Sequence, residues 1–383
     1  MRPLITTDNH LSPPPWLLNE LPEKYRDKVS SQMFLVEDRP DGRYLVIPES
    51  RMNLMMNAGI PNEFKVDDDR MLTKILHASI LLAEDNYPAF DPEGRLADME
   101  REGVVAAVLI GSPEFGDARG PDVVAAQIAW CRIANDWLAD TYRGHFDRFA
   151  PGINLPYLDP AACAKELERA AALGLRPAVL PDGIYDLPYY LPEWEPVWEV
   201  AAGLGIPITM HIAAQRTKQF AQANPAAPNW YGEHIEGFYT LSVDMGATLT
   251  WLTLSGVFER HPNLTVVMTE GYAFWLAGVM QFLDHHYQGR FGAFARAGHQ
   301  LPELPSHYLK RQAKCTFMWD PLAIRNRDLT GIDCLMWGND YPHPEGAFPY
   351  SQEWVEKQFA GVPEDEITKM TFTTAKDLFG FDV

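Results

Sequence analysis

The chain has 383 residues, with 32 Lys and Arg against 52 Asp and Glu, a formal net charge of −20 at pH 7. So acidic a chain repels phosphate backbones, which excludes nucleic acid as a partner. Hydrophobic residues make up 46% and charged residues 22%, a globular mix that excludes disorder and supplies a large core.

The predicted elements alternate short apolar runs with longer amphipathic ones. Pro3–Asp8 is the first strand. Val104–Ile110 is β-branched and continuous, as a strand buried on both faces should be. Phe149–Leu155, Arg176–Pro181, Pro207–Ile212, Leu264–Glu270, Cys315–Asp320 and Cys334–Asp340 follow. Helices are expected at Asp122–Tyr142, at Pro160–Leu173 behind Asp159 as its cap, at Glu193–Gly203 and at Ala247–Arg260. Eight strands alternating with helices predict a parallel sheet closed into a single α/β (β/α)8 TIM barrel over residues 1–383. Long rim-loop insertions are expected around residues 11–95, 213–246 and 283–311, where a barrel carries its substrate loops.

No run of eighteen apolar residues is present and MRPLITTDNH lacks the apolar stretch of a secretory signal, so neither a membrane span nor export is expected. Cys131, Cys163, Cys315 and Cys334 form no CxxC pair and read as small buried hydrophobes in a reducing, cytoplasmic setting.

Polar residues close the predicted strands. The first ends in Asp8-Asn9-His10, and positions two apart on a strand face the same side. The fifth carries His211, the sixth ends in Glu270 and the eighth in Asp340. Singly, each has a bland reading: a turn at Asp8, a core histidine at 211, a helix cap at Glu270, a turn at Asp340. Four such residues at the same end of four strands fit one shared site better than four coincidences. Burying that many ionisable groups is costly unless a cation compensates, so a divalent metal held by Asp8, His10, His211, Glu270 and Asp340 is expected. Imidazole and carboxylate ligands suit zinc first, with iron or manganese, mononuclear or dinuclear, also compatible.

These residues resemble the amidohydrolase-related family, the branch of the amidohydrolase superfamily containing metal-dependent hydrolases and non-oxidative decarboxylases. ITTDNH, FDPEGRLADMEREGVVAAVLI, YDLPYYLPEWEPVWEVAAGLGIPITMHI, SGVFERHPNLTVVMTEGYAFWL and LMWGNDYPHPEG carry the resemblance over nearly the whole length. It implies a (β/α)8 barrel, with Asp8 and His10 as the first-strand metal pair, His211 as the fifth-strand ligand and Asp340 as metal ligand and proton shuttle. Glu270 stands where some relatives carry His. Two departures matter. The family's Glu in a His-x-x-Glu-Pro motif is Pro13 here, and Asp8 replaces the His of His-x-His hydrolases, a replacement frequent among decarboxylase relatives.

Hydrolysis of an ester, thioester or amide by a metal-activated water is the leading expectation, with Asp340 accepting and returning the proton and His211 fixing geometry. The alternative is non-oxidative decarboxylation of an aromatic or unsaturated acid. Trp230, His234, Arg216 and His343 are expected to bind a small-molecule substrate, Arg216 as an anion anchor. Trp16, Tyr231, Tyr287, Tyr341 and Phe348 are candidate rim aromatics, while His285 and His286 read as helical and not as ligands. The resemblance also implies a homodimer.

Overall fold

The structure is a computed structural model. It describes residues 1–383 except 12, 31–34, 47–62, 66–90, 112–118, 185, 213–230, 290–299 and 344–345.

In chain order the strands are β1 (Leu4–His10), β2 (Leu35–Arg39), β3 (Gly42–Val46), β4 (Glu63–Lys65), β5 (Val104–Ile110), β6 (Phe149–Pro151), β7 (Ile153–Asn154), β8 (Ala178–Pro181), β9 (Ile208–His211), β10 (Val266–Thr269), β11 (Ala313–Phe317) and β12 (Leu335–Trp337). β1, β5 and β6 pair in parallel, as do β7 through β12 in sequence order. β6 and β7 are one predicted strand stepped at Gly152, whose N–H donates to Leu109 O while Ile153 N–H donates to Pro177 O. The ring closes past the end of β12. There Asn9 bridges Tyr341 in parallel, Asp340 N–H donates to Asp8 O at 3.0 Å and His10 N–H donates to Tyr341 O at 2.7 Å. The result is a (β/α)8 barrel, as the alternation predicts.

Asp-Pro pairs start the helices that wrap it. Asp91 accepts from the N–H of Glu93 and Gly94 to cap the helix Pro92–Glu102, and Asp159 does the same for Pro160–Ala171 through Ala161 and Ala162. The core has two shells. Ile5, Ala106, Val108, Ile110, Val179, Val267 and Met336 form an inner cluster. Leu4, Ala107, Leu109, Ala178, Ile208, Val266 and Met268 face the helices. Adjacent residues on one strand thus divide between shells, the period-2 pattern of a sheet covered on both sides. All four cysteines are free and buried.

Two expectations need correction. The interval 11–95 holds an antiparallel sheet, β2-β3-β4, whose first turn is Pro40-Asp41. The helix expected at Ala247–Arg260 runs Tyr231–Leu254 and stops before Gly256, whose φ of 80° opens a separate turn, Val257–Arg260. The first strand runs to His10, as its Asp8-Asn9-His10 end leads one to expect. Among the described residues no helix is long and apolar enough to cross a membrane.

Candidate metal centre

β1 delivers its two candidate ligands by a bulge. From Thr6 to Asn9 it spends three steps while β5 spends two, from Ala107 to Leu109. The extra residue resets the alternation. Ile5 lies in the inner cluster, and the odd numbers would otherwise continue inward; after the bulge it is Asp8 and His10 that reach the interior group. Asn9 faces the helix Pro92–Glu102 instead, where the buried Arg95 donates to its Oδ1 at 2.6 Å and to His10 O at 2.5 Å. The Asn9 side chain and the next carbonyl are thus pinned from outside. Gly338 makes the seam possible, since a Cβ there would lie 2.7 Å from Asp8 Cβ.

Glu270 and Asp340 arrive by another route. Both sit just beyond a strand with φ in the left-handed region, 64° and 55°. Non-glycine residues adopt it at a cost of about 1–3 kcal/mol when the surroundings enforce it, and functional sites are where such strain collects. His211 closes β9. Its Nδ1 lies 3.0 Å from Ile212 O and donates to that carbonyl, which leaves Nε2 as the lone-pair nitrogen.

The donors converge. His10 Nε2 lies 2.9 Å from Asp340 Oδ1 and 3.6 Å from both Asp8 Oδ1 and Glu270 Oε2. His211 Nε2 lies 2.8 Å from Glu270 Oε2 and 3.9 Å from Asp8 Oδ1. Ligand atoms of Asp8, His10, His211 and Glu270 all fall within 4.8 Å of one another, as do those of His10, Glu270, Asp340 and His343. Despite these separations, Asp8 Oδ1, His10 Nε2, His211 Nε2 and Asp340 Oδ2 are buried with no hydrogen-bond partner among the described residues. Buried polar atoms are rarely left so, and four in one place aimed at a common point fit the shell of a cation with bonds of about 2.0–2.2 Å. The donor set therefore fits a divalent metal.

The electrostatics agree. Burial, with the Asp340 carboxylate next to it, pushes the Asp8 carboxyl up to about 7. Burial opposes charge on His211, but the Glu270 carboxylate outweighs it and lifts the imidazole to about 9. Burial also works against Glu270, yet His211 and His10 hold its carboxyl well below the usual range. Protons here stand in for the positive charge the cluster lacks.

All five predicted ligands, Asp8, His10, His211, Glu270 and Asp340, come together. His343 joins them: its Nδ1 is 2.9 Å from Asp340 Oδ1 and its ring lies 3.9 Å from that of His10. Arg216 and Trp230 lie outside the described residues, and His234 is placed only as a member of the helix Tyr231–Leu254. His285 and His286 sit on the helix Leu276–Gln288, outside the cluster. Two of the five expected rim aromatics, Tyr341 and Phe348, belong elsewhere. Tyr341 donates to Asp98 Oδ2 at 2.5 Å and packs edge-on against Phe348, behind β1 on the Arg95 side. Arg95 itself gives no signal in the sequence. A helix-start arginine reads as solvated, and only its reach to β1 gives it importance.

The fold has counterparts. The family model described as amidohydrolase matches residues 6–381, and the chain belongs to that family. Among characterised relatives, the decarboxylase orsB of Emericella nidulans is 24% identical over 302 residues, 75% of this chain and 84% of that protein. Among solved structures, the amidohydrolase map2389c of Mycobacterium avium subsp. paratuberculosis superposes with a TM-score of 0.72 at 18% identity over 99% of each chain. A dihydroxybenzoic acid decarboxylase of Polaromonas, solved with manganese and the inhibitor 2-nitroresorcinol, gives a TM-score of 0.64 at 17% identity over 100% of this chain and 98% of that one.

Proposed function

We propose that this chain is a metal-dependent, non-oxidative decarboxylase of an aromatic carboxylic acid of the hydroxybenzoate class. The observation that carries the reading is the cluster of orphaned donors with Asp340 beside it, its Oδ1 held 2.9 Å from His343 Nδ1 and its Oδ2 without a partner. That is a carboxyl group placed to give up a proton next to a cation. The sequence puts hydrolysis first. Asp8 in place of the first histidine, together with relatives named as decarboxylases, favours the other reading.

Asp8, His10, His211 and Glu270 would hold the ion, with Asp340 at its edge. Manganese is the ion we assign ahead of zinc, because carboxylates make up most of this donor set and the Polaromonas structure carries manganese. A divalent cation there supplies the positive charge that anchors an anionic substrate and offsets charge developing during bond cleavage.

Charge counting then assigns the proton. Asp8, Glu270 and Asp340 contribute three negative charges, a dication removes two, and an anionic substrate restores one. A proton held between Asp340 and His343 cuts that excess of two negative charges to one, and it is the proton the reaction consumes. The bond between ring carbon and carboxylate breaks and its electron pair stays on the ring carbon. That carbon takes the proton from Asp340, and CO2 leaves. No oxidant and no water are consumed. His343, half-buried, donates from Nδ1 to Asp340 Oδ1 and brings the replacement proton from solvent.

Purified protein loaded with manganese is assayed on a panel of hydroxybenzoic acids, esters and amides in D2O and in 18O-labelled water. Release of CO2 with one deuterium on the vacated ring carbon is the expected result. Labelled oxygen in a carboxylic product without gas release would replace this reading with hydrolysis.

A further inference from the structure

The turn after β10 carries Glu270 and is strained twice. Glu270 and Tyr272, either side of Gly271, both have φ in the left-handed region, 64° and 56°. For a residue as bulky as Tyr that is an outlier which its surroundings must enforce. Gly271 is wedged against the helix Tyr231–Leu254, for a Cβ there would lie 2.0 Å from Met245 Sδ. Glu270 N–H donates to Thr316 Oγ1 at 3.0 Å, and Trp275 Nε1 donates to Gly271 O at 2.8 Å.

The strongest hold comes from Asp320, three residues past β11 and 4% exposed. Its Oδ2 accepts from the N–H of both Ala273 and Phe274 at 2.8 Å. Its Oδ1 accepts from Ala323 N–H at 2.8 Å, capping the helix Pro321–Arg325. Asp320 N–H donates to Gln358 Oε1 at 3.0 Å, and Gln358 Nε2 donates to Met318 O at 2.7 Å, so the clamp is itself braced. A cap for a five-residue helix needs only one acceptor, which serine supplies. A buried carboxylate with backbone partners on two elements is a costlier group than that task requires.

We propose that Asp320 is a positioning residue for Glu270. Its carboxylate draws the Ala273 and Phe274 amides to one point and locks the strained turn in the form that sets Glu270 Oε2 2.8 Å from His211 Nε2. This rests on the metal reading of the centre and not on which reaction the centre performs.

The test is manganese affinity, read from the electron paramagnetic resonance signal of free Mn2+, alongside thermal stability. Asp320→Ala should weaken binding by about 10–100-fold, the range for groups that orient metal ligands. Asp320→Ser, which can still cap Ala323 but is too short to reach Ala273 and Phe274, should weaken it comparably. Asp320→Asn, with one oxygen left to face that pair, should retain most of the affinity. Asp159→Ala, which removes an equivalent cap from the helix Pro160–Ala171, should lose stability with affinity unchanged. Wild-type affinity in Asp320→Ala, or in Asp320→Ser where the alanine variant does not fold, overturns the role of Asp320. A wild-type chain that binds no manganese is a separate result and removes the metal reading itself.

Discussion

Two acidic clusters in this molecule look alike by distance and differ in kind. On the antiparallel sheet, Arg39 Nη2 lies 2.7 Å from Glu37 Oε2 and 2.8 Å from Glu63 Oε2, all three side chains partly exposed. Every short distance there is a hydrogen bond. At the strand ends the separations are as short, but His10 Nε2 and His211 Nε2 find no acceptor, and Asp8 Oδ1 no donor, among the described residues. A short N–O distance is evidence of pairing only when a proton lies along it. Where it does not, and the atoms are buried, both are aimed at something else. The exposed cluster pairs within itself, whereas the buried one turns its donor atoms toward a common point.

Substitutions can break that contrast. Asp340→Asn should cut turnover by about 10³-fold or more, since it removes the group that moves the proton, while bound manganese is largely kept. Steady-state kinetics with metal analysis checks this, and an active variant would deny Asp340 its role. Asp8→Ala and His211→Ala should each lower manganese affinity, by at least about 100-fold, because each removes a buried ligand.

The same affinity should rise with pH. In the metal-free site Asp8 keeps its proton up to about 7 and His211 up to about 9, in each case because burial and the neighbouring carboxylates set the balance. Metal must displace both protons below pH 7 and one between 7 and 9, so binding strengthens as pH rises through that window and levels off above it. A flat profile across pH 6–9 would contradict the assignment of these two groups as ligands. The smallest effect is expected at the exposed cluster, where Arg39→Gln should leave metal affinity untouched and shift the melting temperature little.

Much of this is legible in the sequence for a definite reason. Barrel strands buried on both faces read as apolar runs, and a carboxylate or imidazole closing such a run is costly there unless it binds something. What escapes is set by contacts distant in the chain. Simple alternation does bring Asp8 and His10 to one side of a strand, but it takes a bulge to make that the inner side. Gly246 reads as a boundary before a helix and stands in the middle of one, because Val279 and Trp275 pack too close for a side chain there. Pro40-Asp41-Gly42 is a turn signal easily lost inside a long interval that reads as loop. Asp320-Pro321 marks a helix start, but the reach of Asp320 and of Arg95 has no local signature, since it ends on backbone atoms 47 and 85 positions away.

The seam between β12 and β1 has a consequence for biosynthesis. Thr6 and Asn339, bonded across it at 2.8 Å, are 333 residues apart. Asp8 leaves the ribosome 332 residues ahead of Asp340, its partner across the seam. An ion cannot be captured by the complete shell during elongation, and loading must follow the last barrel strand into place. Maturation of this protein is thus tied to the cation supply where folding finishes, not where translation begins.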